Sequence, residues 1–113
     1  MSLRARFAPR MEIRMFENRV RVTNLETHQA IDREAGTPFS SDTMLVADAA
    51  ALAELLRAVI IDLEGSRRWF VVPSAVIHPV AGRSLGPGER LALAEMAKAL
   101  GFRQVAIGVT PAA

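Results

Sequence analysis

The sequence has no cysteine, one tryptophan and a single lysine, Lys98. Without cysteine there is no disulfide framework, no thiolate zinc site and no cysteine nucleophile. No apolar run approaches the roughly 20 residues that a membrane-spanning helix needs. Residues 1–10 carry arginines but no apolar stretch of the kind that marks a secretory signal. There is no internal repeat and no low-complexity linker. What remains is a chain of 113 residues, half of them apolar. That is near the commonest size for one domain, which should bury roughly two-thirds of its unfolded surface. Residues 1–10 read as a flexible basic tail and 11–113 as one domain. The absence of cysteine suits a reducing compartment, so the expected location is cytoplasmic, at most peripheral to a membrane.

The formal net charge is only +2, although the sequence pI is near 10.4. The basic excess is local: Arg4, Arg6, Arg10, Arg14, Arg19 and Arg21 stand against Glu12 and Glu17. A basic end can meet nucleic acid or anionic lipid. A solvated strand face with a loose tail explains the same pattern more simply, so nucleic acid is not the expected partner.

Period-two alternation marks the first strands. Met11, Ile13 and Met15 oppose Glu12, Arg14 and Phe16; Val20 and Val22 oppose Arg19, Arg21 and Thr23. The Glu17-Asn18 turn between these runs gives a hairpin. Residues 24–28 read as a second turn and 29–33 as a weaker third strand. Gly36, Pro38, Ser40 and Ser41 then break the pattern. Leu52, Leu55, Leu56, Val59, Ile60 and Leu63 form one helical stripe, with Asp48 as N-cap and Gly65 as C-cap. Pro73 excludes a mid-sheet strand at its own position, which places the next strand at 75–78, ended by Pro79. Pro87 suits the first turn of a second helix. Its stripe is Leu93, Met96, Ala97 and Leu100, and Gly101 ends it. Residues 104–109 read as the last strand.

The order is β-β-β-α-β-α-β, an α/β (α+β) chain expected to form a mixed five-stranded sheet of strand order 3-2-1-4-5, in the ribonuclease-H-like manner. The second half adds a resemblance. Ala75-Val-Ile-His-Pro79, Gly88-Glu-Arg-Leu-Ala92, Ala99-Leu-Gly-Phe-Arg-Gln-Val105 and Pro111-Ala-Ala113 are similar to segments of the bacterial actin MreB family, the rod-shape-determining proteins. Leu45-Val-Ala-Asp48 and the helix after it resemble that family too. The likeness covers roughly residues 44–113. It implies an actin-like half-domain of the kind found in the actin and heat-shock-70 ATPases, and a link to cell shape or envelope.

The same resemblance exposes missing parts. Actin-like ATPases carry an Asp-x-Gly-Thr turn between their first two strands, where glycine lets backbone amides approach phosphate and the aspartate serves the metal. Here the turn is Phe16-Glu17-Asn18-Arg19. The acidic pair ahead of the family's Pro-Ala-Ala is Val109-Thr110 here, and the family's second nucleotide-binding half is lacking. The expectation is a non-catalytic protein-interaction module, with no enzyme activity and no cofactor.

Other candidate chemistry is thin. Residues 82–88 are glycine-rich ahead of a helix, but no Lys-Ser/Thr pair follows and Pro87 removes an amide, so a phosphate loop is not expected. Glu89 in a first helical turn is ordinary dipole compensation. His28 and His78 show no ligand spacing with Asp32, Glu34 or Asp42. Asp62 and Glu64 are expected to oppose Arg67 and Arg68. Ser74 lacks the glycines of a nucleophile elbow. Trp69 and Phe70 are the candidate partner-binding pair, since tryptophan is enriched among interface anchors. A protein partner or self-association, with a homodimer as the form, is expected.

Three alternatives stand beside this one. Val59-Ile-Ile-Asp-Leu-Glu-Gly65 resembles a strand of the STAS-type anti-sigma-factor antagonists, a reading that requires residues 59–63 to be a strand. The second is a weak nucleotide-binding ATPase completed by dimerisation, and the third a nucleic-acid binder using the N-terminal arginines.

Overall fold

A computed structural model describes residues 10–65, 74–80 and 84–108. Strands β1 (Met11–Phe16), β2 (Arg19–Asn24) and β3 (Ala30–Glu34) form an antiparallel meander. Helix α1 (Ala49–Glu64), strand β4 (Ser74–Pro79), helix α2 (Pro87–Ala99) and strand β5 (Gln104–Ile107) follow. The strands lie in the order β3-β2-β1-β4-β5, with β4 parallel to both β1 and β5. This is a mixed sheet with two helices, of the α+β class.

Alternation of side chains across a strand decides which face is covered. Met11, Ile13 and Met15 of β1, Val20 and Val22 of β2, and Ala75 and Ile77 of β4 are all buried. The register aligns Ile13 with Val22 on one side and with Ile77 on the other. Leu52, Leu56, Val59 and Ile60 of α1 and Leu93, Met96 and Ala97 of α2 join the same cluster. Both helices therefore cover one face. The opposite face carries Glu12, Arg14, Arg19, Arg21, Asp32 and His78, and no described element lies on it.

Helix α1 begins where Asp48 accepts a hydrogen bond from the Ala51 amide, and ends at Gly65, whose φ of 66° suits glycine. The chain between β3 and α1 is not loose. Phe39, Leu45 and Val46 within it are buried in the core.

Several boundaries differ from the sequence reading. The third strand is shifted by one residue, to 30–34, because Asn24 organises the turn before it: its Oδ1 accepts from the Glu26 and Thr27 amides, and His28 takes a φ of 65°. The last strand ends at Ile107, and Val109 lies outside the described residues. Arg10 donates its amide to Ser74 O, accepts from Leu25 N, and places its guanidinium 2.9 Å from Glu26. Residues 59–63 are helical, which removes the strand that the STAS reading required.

Candidate functional site

The best-organised polar assembly is where the β1–β2 turn meets the long β3–α1 connection. Asn18 sits in that turn with φ 53°, a left-handed conformation that asparagine tolerates better than most residues. Its Oδ1 accepts from both the Phe39 and the Ser40 amides at 2.8 Å. Its own amide donates to Ser40 Oγ at 3.1 Å, and Ser40 Oγ–H donates onward to Leu45 O at 2.6 Å. Ala35 N closes the group by donating to Asn18 O. One side chain thus ties a hairpin turn to a segment about twenty residues away, and its acceptor oxygen has no capacity left for a ligand.

Glu89 lies at the start of α2, only 7% exposed. Its Oε1 accepts from the Gly86 amide at 3.0 Å and its Oε2 from the Val46 amide at 2.9 Å. The first contact is the half of a capping box that a glycine cap allows, since Gly86 has no side chain to return a bond. The second joins α2 to the β3–α1 connection. A helix N-terminus draws anions to its free amides. At this one the anion is the chain's own carboxylate. Sequence reasoning assigned Glu89 only a dipole role; the Gly86-to-Glu89 spacing was the signal for the capping contact, but nothing local announced Val46.

On the uncovered face, Glu12 lies between Arg14 and His78. Arg14 Nε is 3.4 Å from Glu12 Oε1, and His78 Nε2 is 3.7 Å from Glu12 Oε2. His78 packs closely beside Gly108, just past β5: a Cβ there would lie 3.3 Å from its ring, which would have to shift by a few tenths of an ångström. Arg19 stacks on Phe16, its guanidinium carbon 4.3 Å from the ring centre, with Asp32 Oδ1 3.3 Å from its Nε. Arg21 also faces Asp32, at 3.9 Å. Basic and acidic groups are interleaved here and do not form a patch of one sign.

The remaining sequence candidates fall apart spatially. Among the described residues no three His, Asp or Glu side chains gather as a metal site. His28 is exposed in its turn, while His78 is half-buried on β4. Asp62 pairs with Arg33 of β3 at 2.8 Å, and Glu64 accepts from Asn24 Nδ2 at 2.6 Å. These partners come from the meander; Arg67 and Arg68, expected opposite them, lie outside the described residues. Trp69 and Phe70, the candidate partner-binding pair, lie outside the described residues, as do residues 81–83 of the glycine-rich loop. A concavity of about 210 Å³ is lined by Ala35, Gly36, Thr37, Ala51, Glu54 and Leu55. It is smaller than ordinary ligand pockets and offers one carboxylate. Among the described residues no helix is long and apolar enough to cross a membrane.

No family model matches the sequence, and no curated protein matches it. The structure is similar to that of MreB5 of Spiroplasma citri, solved bound to ADP, with a TM-score of 0.58 at 16% sequence identity. The match covers 88% of this chain but 38% of that one, so the chain spans well under half of its structural neighbour. At that identity the likeness establishes an actin-like fold and nothing further.

Proposed function

We propose that this chain is a non-catalytic protein-interaction module built on one ribonuclease-H-like half of an actin-like fold. The observation that carries the reading is the state of the two places suited to phosphate. Actin-like ATPases use the turn between their first two strands for phosphate and metal. In this chain that turn lacks both aspartate and glycine, and its Asn18 Oδ1 is committed to the Phe39 and Ser40 amides. The α2 N-terminus holds the Glu89 carboxylate in contact with Gly86 N and Val46 N. A nucleotide phosphate arriving there would meet a negative charge already in place. The partner is a protein, and the likeness to MreB5 makes cell-shape or envelope machinery the setting to search first.

The competing reading is an ATPase completed by dimerisation, and one titration separates the two. A fluorescent ATP analogue with magnesium is titrated against the purified chain. The expected result is no saturable binding in the micromolar range. Saturable binding at one site per chain would overturn the non-catalytic reading and direct attention to residues 82–89.

A further inference from the structure

The two edges of the sheet differ in chemistry. The outer strand β3 carries Asp32, Arg33 and Glu34 within five residues; Asp32 faces Arg19 and Arg21, and Arg33 pairs with Asp62. Charge of that kind is how natural edge strands discourage pairing with other chains. The outer strand β5 reads Gln104-Val-Ala-Ile107, with no charge and no proline. Val105 and Ile107 pack against the core yet remain only half-buried. No described strand pairs with their outer side.

The backbone direction of β5 follows from one bond. Gly108 donates its amide to Ile77 O on β4 at 2.9 Å. By the two-residue alternation of a strand, Ala106 also turns its backbone groups to β4, while Val105 and Ile107 turn theirs outward. A second copy of the same strand, antiparallel and centred on Ala106, sets Val105 opposite Ile107 of the second copy, and the reverse. Both are outward-facing residues, so each such pair exchanges two N–H···O=C bonds. Their side chains then lie together on the helix-covered side, apolar against apolar. On the uncovered side Ala106 faces Ala106 of the second copy in a non-hydrogen-bonded pair, with Gln104 opposite Gly108. No register position opposes two like charges.

We propose that β5 is a homotypic docking edge, through which two copies of this chain join their sheets antiparallel about Ala106. A second copy is favoured over an unrelated strand because the segment is its own complement in backbone direction, side-chain polarity and size. The inference rests on the reading of the chain as an interaction module and names its partner. The two fail separately, since nucleotide binding would end that reading without bearing on which amides β5 turns outward.

Sedimentation equilibrium on the 113-residue chain is the test, over the micromolar to sub-millimolar range. The expected result for the wild type is a reversible monomer–dimer equilibrium. Ala106→Glu and Ala106→Lys each weaken it by at least about tenfold, because like charges then stand directly opposite. An equimolar mixture of the two variants associates again. Val105→Pro removes an outward amide without touching the β4 ladder and weakens association similarly, with unchanged circular dichroism. A readout that needs no variant is amide hydrogen exchange, which slows at Val105 and Ile107 as concentration rises. A wild type that stays monomeric throughout overturns the proposal. So does a dimer whose Val105 and Ile107 amides exchange freely, or one that these substitutions leave unchanged.

Discussion

Asn18 and Glu89 show how a side chain fixes a fold from a distance. Each accepts two backbone amides: Asn18 those of Phe39 and Ser40, Glu89 those of Gly86 and Val46. Replacing Asn18 by alanine removes two acceptor contacts and leaves a Cβ residue in a left-handed backbone, at a cost of about 3 kcal/mol. Asn18→Gly loses the same contacts without the strain and costs about 1 kcal/mol less. Urea unfolding of both variants checks the pair; equal losses would mean that the conformation at 18 carries no strain. Glu89→Gln turns one acceptor oxygen into an NH₂ group facing an amide donor, and is expected to destabilise by about 1–3 kcal/mol. The same unfolding experiment reads it, and an unchanged midpoint would remove the buried carboxylate from the structural account. The composition of the turn at Asn18 was plain in the sequence. Its partners were not, because a hydrogen bond spanning twenty residues leaves no periodic trace.

At the scale of elements, most of the architecture was legible, for a physical reason. Alternation in β1 and β2 and the Leu52–Leu63 stripe in α1 are local consequences of burying one face, and both are seen in the buried set. Asp48 caps α1 by accepting from Ala51 N, as its position before an apolar stripe implied. Removing that cap by Asp48→Ala is expected to cost about 1 kcal/mol, while Asp48→Asn costs less, since its amide oxygen still accepts. Thermal unfolding of the two variants distinguishes a capping role from a purely electrostatic one, under which Asn would behave like Ala. What was not legible was the company that elements keep. Nothing local in the sequence announces that the meander brings Arg33 to Asp62 and Asn24 to Glu64.

For the molecule as a whole, the question left by composition is whether thirteen arginines make it a nucleic-acid binder. The placement of the described arginines of residues 10–21 argues against it. Four of the six arginines in residues 1–21 sit beside carboxylates: Arg10 by Glu26, Arg14 by Glu12, and both Arg19 and Arg21 by Asp32. These exposed pairs contribute little to stability, typically up to about 1 kcal/mol each. They matter instead for the field, because they set positive and negative charge side by side on the uncovered sheet face. A phosphate backbone approaching that face meets Glu12 and Asp32 as readily as the guanidinium groups. Affinity for nucleic acid comes largely from counterions released as phosphates are neutralised, and it falls steeply with salt. A surface that already neutralises itself releases few. Fluorescence anisotropy of a labelled duplex against this chain is therefore expected to show no binding whose logarithm falls with that of salt by several units. A slope of that size would mean that Arg4 and Arg6, or the broken ion pairs, supply a basic surface after all, and would return the nucleic-acid reading to first place.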